Sequence, residues 1–243
     1  MISVSIIYQE ILYKPLFNGL VFLYNNLPGH DFGVAIIVLT ILIRLLFYPL
    51  FQKSMKAQKE MAELQPKIKE VQTKYKNDKV KQARALMELY KEHKVNPMGG
   101  CLPLIIQIPI LFAFFQVLRT GLDPARLNGL YGFIKNPGII NSMFLGAVNL
   151  ANPNVILAFL TGITQFIQAK MMSPKNPIAA SGKSDFATAM SKQMTYVMPV
   201  FIFLIALKFP AGLALYWTVL NIFGITQQYF LQKPKASLNK DVE

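Results

Sequence analysis

Apolar residues in this chain gather into long runs instead of alternating with polar ones. Phe32 to Phe51 holds a single charge, Arg44. Cys101 to Leu118 and Pro153 to Ala169 hold none. The last run, Met194 to Leu231, is too long for one pass. Its only charge, Lys208, opens the stretch KFPAGL, where Pro210 and Gly212 break a helix. A bilayer core about 30 Å thick needs roughly 20 mostly apolar residues per helix. The pattern predicts an all-α integral membrane protein with five transmembrane helices, near 32–51, 98–119, 153–170, 194–208 and 212–231.

Three other stretches have their own pattern. Residues 6–28 are apolar but interrupted by Glu10, Lys14 and Pro15, which predicts an N-terminal interfacial amphipathic helix within an extracytoplasmic segment, 1–30. No basic start or small-residue cleavage site is present there, so no cleaved leader is expected. Residues 139–151 are too short to cross and are expected to lie along a surface. Between the first two spans, Ala57, Met61, Leu64, Ile68, Val71 and Tyr75 recur at steps of four and three. The pattern resumes at Val80, Ala83, Met87 and Tyr90 after Asn77-Asp78. Residues 53–95 therefore read as two antiparallel helices packed seam to seam, with Pro66 kinking or restarting the first.

Composition agrees with a membrane protein. Of 243 residues, 53% are hydrophobic and only 15% charged, against about a quarter charged in soluble domains. The one cysteine, Cys101, excludes an intramolecular disulfide. Net charge is nevertheless +13, and its placement sets orientation. Residues 52–98 carry 12 Lys/Arg, residues 170–192 four, and the tail 233–243 three. The opposite side carries Lys14, Arg119, Arg126, Lys135 and Lys208. The positive-inside bias puts the N-terminus outside and the tail in the cytoplasm. The 53–95 hairpin holds 12 basic and six acidic residues. That charge suits either a solvated loop near anionic lipid or a docking arm for a polyanion such as a ribosome.

Arg44 is the informative residue, because charge inside a bilayer costs a few kcal/mol or more and marks function by default. No Asp or Glu lies in any predicted span. Arg44 then snorkels, faces water, or awaits an anionic ligand. Gln107 lies at a matching depth, about 13–14 Å from the cytoplasmic end of its span. Thr40 is one turn from Arg44 on the same face. Thr164, Gln165, Gln168, Asn221, Thr226, Gln227 and Gln228 also sit toward the inner half. Polar residues are few in the outer half. This asymmetry predicts a groove open to the cytoplasm, with helix–helix hydrogen bonding as the alternative for any single residue. Enzyme chemistry is not expected. His30 and His93 lie outside the spans, and no metal-ligand cluster, phosphate loop or cofactor fingerprint is present. A channel or small-solute transporter needs a continuous polar path, which the apolar outer half opposes. A purely structural assembly protein leaves Arg44 unexplained.

Three features carry a family resemblance. NPMGGCLPLIIQIPI (Asn96–Ile110) resembles the hallmark segment of the YidC/Oxa1/Alb3 membrane protein insertases. FPAGLALYWTVLNIFGITQQ (Phe209–Gln228) resembles that family's last hairpin. An arginine in the first core span, followed by a charged hairpin containing LQPKI (Leu64–Ile68), is the third. The match covers residues 30–232, the five-span core being 31–232, without the large periplasmic domain or extended basic tail of some members, so a short bacterial form is expected. The resemblance implies a cofactor-free insertase and chaperone in the bacterial plasma membrane, functional as a monomer. Its partners would be nascent membrane proteins, the ribosome, the Sec translocon and lipid. Carried over by motif, the groove residues are Arg44, Thr40, Gln107 and Trp217. Leu111, Thr161 and Ile205 align with client contacts. Ribosome or Sec docking would fall to Lys67, Lys69, Lys74, Lys76, Lys79, Lys81 and Arg84 of the hairpin.

Overall fold

The computed structural model describes residues 4–96, 99, 102–120, 129–173 and 192–232. Helix α1 (Val4–Tyr8) runs through a π turn at Gln9–Tyr13 into α2 (Lys14–Asn26). Then come α3 (Phe32–Leu46), α4 (Tyr48–Lys74), α5 (Lys79–Glu92) and α6 (Leu102–Thr120). A two-stranded hairpin, β1 (Met143–Phe144) with β2 (Val148–Asn149), precedes α7 (Val155–Met172). A π turn, Gln193–Val197, leads into α8 (Met198–Ala206), and α9 (Ala211–Gln232) ends the described chain. Among the described residues each apolar run is mostly helical. Residues 1–3, 97, 98, 100, 101, 121–128, 174–191 and the tail 233–243 lie outside the described residues, and with them Cys101 and part of the hallmark segment.

Helix α3 is shorter than the predicted 32–51. It ends at Leu46, and α4 leaves at an angle of 69°. Pro49, in the first turn of α4, has no N–H to return to the Leu45 carbonyl, so the ladder breaks around Phe47. Phe47 still donates to the Ile43 carbonyl at 3.1 Å and closes α3. At Pro66, by contrast, α4 is not interrupted. Pro66 is exposed, so the Ala62 carbonyl that loses its helical donor can turn to solvent.

One core joins α2, α3, α6 and α9. Phe17, Leu20 and Val21 of α2 pack with Ala35 and Ile36 of α3, Phe114, Val117 and Leu118 of α6, and Ala214 and Tyr216 of α9. The N-terminal amphipathic helix therefore buries its apolar face in the bundle, not only at an interface. Small residues let the helices approach closely. A Cβ added at Gly212 would lie 3.0 Å from Leu118 Cδ2, and one at Gly162 would lie 3.1 Å from Phe203 Cβ.

The outer faces are also apolar. Ile108 and Phe112 of α6, Phe159 and Ile163 of α7, and Phe201 and Leu204 of α8 are exposed. Helix α7 is the one described helix that alone is long and apolar enough to cross a membrane, and only 17% of it is buried. The core helix of a soluble protein would be mostly covered. Helix α3 reaches that length only together with the bent-off α4, and Ile105–Arg119 and Gln193–Ala206 are apolar but shorter.

Residues 129–154 form a strap across one end of the bundle, more elaborate than the surface segment expected at 139–151. Asn18 of α2 accepts from the Tyr131 N–H at 2.6 Å and donates to the Gly129 carbonyl at 3.3 Å. The Tyr24 hydroxyl accepts from the Asn141 N–H at 3.0 Å. Asp31 accepts from Val34 N–H at 2.9 Å, capping α3, and from Leu145 N–H at 2.6 Å. Phe144 packs against Gly33, where an added Cβ would be 2.1 Å from ring Cδ2. At the start of α9, Ala211 N–H donates to the Asn152 carbonyl at 2.9 Å and Gly212 N–H to the Leu150 carbonyl at 3.0 Å. The strap thereby satisfies donors that a helix start leaves free.

Helices α4 and α5 pack as the predicted hairpin around buried Leu64, Ile68, Leu89 and Val95, flanked by Met61, Val71, Leu86 and Tyr90. From the expected first seam, Met61, Leu64, Ile68 and Val71 are in this cluster. The second differs: Val80 is 73% and Met87 54% exposed, and Ala83 is exposed too. Of the expected second seam Tyr90 does pack inward, joined by Leu86 and Leu89 in place of Val80, Ala83 and Met87.

Candidate functional site: a buried arginine between α3, α4 and α9

Arg44 sits in the last turn of α3 and is 7% exposed. Its Nη2 donates to the Leu220 carbonyl of α9 at 3.4 Å. The guanidinium carbon lies 4.2 Å from the ring centre of Phe51 in α4, a cation–π contact. Its Nε is buried without a hydrogen-bond partner among the described residues. Ion pairs among the described residues join Lys14 to Glu10, Lys56 to Glu60 and Lys81 to Asp78, and none involves Arg44. The charge is held by one carbonyl and one ring face, with donor capacity left over.

The other expected groove residues divide. Thr40 is fully buried one turn earlier, and its hydroxyl donates to the Ile36 carbonyl at 2.6 Å. Gln107 donates to the Tyr216 hydroxyl at 2.7 Å. Tyr216 in turn stacks on Phe114, 4.2 Å between centroids. Trp217 is half-buried next along α9, while Leu111 and Ile205 are half-buried on α6 and α8. Thr161 is fully buried in α7, with its hydroxyl 2.9 Å from both the Ala214 carbonyl and the Thr218 hydroxyl of α9. A client could touch Thr161 only if α7 and α9 parted.

Thr161 belongs to a polar ladder that includes much of the expected inner-half polarity. Asn221 donates to the Thr164 hydroxyl at 3.1 Å, and Gln228 to the Met171 carbonyl at 3.2 Å. Gln168 fills the space that a Cβ at Gly224 would need, 2.3 Å from its amide nitrogen. These groups join α7 to α9 instead of lining a groove; helix association explains them. Two central residues were not predicted. Phe51 follows Arg44 by seven residues, a same-face spacing that a continuous helix would have suggested. Tyr216 was detectable as an aromatic with a polar tip inside an apolar run.

The hairpin's basic residues cluster towards its turn. Lys67, Lys74, Lys76, Lys79, Lys81 and Arg84 are exposed, and Lys69 is half-buried. Lys67 Nζ meets His93 Nε2 at 2.7 Å, across the hairpin. Asp78 caps α5 through the Lys81 N–H at 3.0 Å. That bond, with the Lys81 ammonium beside it, holds its carboxyl below the usual carboxylate range. Among the described residues, no three His, Cys, Asp or Glu side chains gather as a metal site would need.

Residues 22–239 match the 60Kd inner membrane protein family. A membrane protein insertase YidC from Fusobacterium nucleatum is 39% identical over 230 residues, 94% of this chain and 100% of the relative. Proteins of the same name from Geotalea daltonii and Syntrophus aciditrophicus are 38% and 40% identical, over 91% of this chain in each case. The chain spans only 37% and 36% of those two. A crystal structure of an active YidC insertase with its first transmembrane domain resolved aligns with a TM-score of 0.56 and 27% identity, covering 90% of this chain and 46% of the other.

Proposed function

The chain belongs to the YidC/Oxa1 family of membrane protein insertases, and we propose that it receives hydrophobic segments of nascent proteins in a polar groove around Arg44 and releases them sideways into lipid. The observation that carries this reading is Arg44, buried with no carboxylate partner among the described residues. In this reading α3, α6, α7, α8 with its preceding π turn, and α9 are the five spans of a bacterial plasma-membrane protein. The N-terminus is outside and the tail cytoplasmic, as the charge asymmetry favours. The exposed apolar faces of α6, α7 and α8 meet lipid, and the strap covers the outer end of the bundle.

The chemistry follows from that placement. A client's polar tail entering beside α3 keeps part of its hydration and avoids full desolvation. A carboxylate in the tail replaces the Phe51 ring on the guanidinium, and their attraction is stronger in a medium less polar than water. The apolar segment then partitions into lipid, driven by about 25 cal/mol per Å² of buried apolar surface. A membrane potential positive outside draws acidic tails across. Thr40, Gln107 and Trp217 line the path; Leu111 and Ile205 touch the segment, and Thr161 does so where α7 and α9 separate. The hairpin lysines and Arg84 dock the ribosome or the Sec translocon. The protein works as a monomer, without cofactor or catalysis.

Purified protein in vesicles, given a client with an acidic tail, tests this. Arg44→Ala slows that insertion and Arg44→Lys largely restores it. Normal insertion of every client by Arg44→Ala would remove the electrostatic role.

A further inference from the structure

Gln227 of α9 is 4% exposed, yet among the described residues neither its Nε2 nor its Oε1 has a hydrogen-bond partner. Its neighbour Gln228 donates to the Met171 carbonyl on the α7 side. An unpaired buried amide destabilises a fold, and leucine or methionine would fill the same volume without that penalty. Tyr216, Leu220 and Gln227 follow at steps of four and seven, so they share one face of α9. That face already carries two polar contacts, the Leu220 carbonyl reached by Arg44 and the Tyr216 hydroxyl reached by Gln107. Gln227 extends it about 10 Å towards the end of α9. Arg44 Nε is the other unpaired donor near this face.

We propose that Gln227 is a binding residue for the client's polypeptide backbone, taking the polar tail before it reaches Arg44. This rests on the insertase reading and deepens it. The match is chemical. A carboxamide offers two donors and one acceptor without charge, complementary to the N–H and C=O of any peptide group. The guanidinium only donates and favours carboxylates. Gln227 is therefore blind to tail sequence, and Arg44 selects within it. Helix α4 packs against α9, with its Phe51 over the Arg44 that reaches the Leu220 carbonyl, and the break around Phe47 gives α4 a pivot from which to uncover the face.

The full chain in vesicles is given two clients with the same apolar segment, one with a neutral Gly/Ser tail and one with an acidic tail. Gln227→Met and Gln227→Leu are compared with Arg44→Ala, and thermal unfolding is measured in detergent. The expected result is about a threefold to tenfold loss of insertion rate on both clients for either Gln227 variant, the worth of one hydrogen bond, with Tm unchanged or raised. Arg44→Ala slows mainly the acidic client. Undiminished insertion by both Gln227 variants overturns the proposal. So does a loss confined to the acidic tail, or a Tm that falls with the rate, which makes Gln227 structural. Failure of the unaltered protein to insert either client overturns the insertase reading itself, and this inference with it.

Discussion

The ring of Phe51 covers the guanidinium of Arg44 at 4.2 Å, so the first turn of one helix closes over the only charge in the preceding one. Replacing Phe51 by Leu keeps the bulk and removes the π face. A cation–π contact at a desolvated site is worth about 2 kcal/mol. Phe51→Leu is expected to raise modification of Arg44 by an arginine-selective glyoxal several-fold. An unchanged rate would mean that other groups shield Arg44.

Thr161→Val tests the α7–α9 ladder. The substitution keeps shape and removes a hydroxyl that contacts the Ala214 carbonyl and Thr218. Interhelical hydrogen bonds in membranes are worth about 0.5–2 kcal/mol. Unfolding of the purified protein by denaturing detergent is expected at a lower midpoint, by that amount. A midpoint equal to that of the unaltered protein would show that the contact contributes nothing.

Gly33→Ala places a Cβ into the ring of Phe144, and overpacking of this kind costs about 1–3 kcal/mol. The cost should largely disappear when Phe144 is Ala as well, because the clash partner is gone. Thermal midpoints of the two single variants and the double variant form a cycle. Strict additivity would argue against the contact.

The hairpin register is open to a direct comparison. Leu89→Ala is expected to cost about 2–5 kcal/mol as a core truncation. Val80→Ser and Met87→Ser, on the exposed face, should stay within about 0.5 kcal/mol. Comparable losses at all three positions would mean that the second seam faces inward.

Asp78 gives the hairpin a pH dependence of known sign. Its carboxyl is held low by the Lys81 N–H and ammonium. The cap's contribution is complete above the unfolded value of about 3.9 and fades as pH falls through the lower folded value. Exchange of the Lys81 amide hydrogen should therefore be slow near neutrality and speed up below that range. Asp78→Asn keeps an acceptor but does not titrate, so its exchange should lack the acid-side rise beyond the intrinsic pH effect.

What was legible in the sequence was mostly local. Apolar runs identify the helices, because helix formation and burial act over a few turns. A lone arginine in such a run stands out by the cost of its burial. The cover on Arg44 was not legible, since it depends on Pro49 ending α3 and on the direction α4 then takes. Asn221 and Gln228 looked like groove lining because depth alone cannot tell a helix–helix contact from a water-facing wall. The α5 seam was legible only at Tyr90: Val80, Ala83 and Met87 recur with it at helical spacing, but Leu86 and Leu89 are the residues that pack beside it. The strap's links to Asn18, Tyr24 and Asp31 join distant residues that no periodicity connects.

The carbonyls of Leu150 and Asn152, which cap α9, are synthesised well before the helix they complete. When Ala211 and Gly212 leave the ribosome, their acceptors have already been made. The last described helix thus has its N-terminal end set by an earlier part of the same chain.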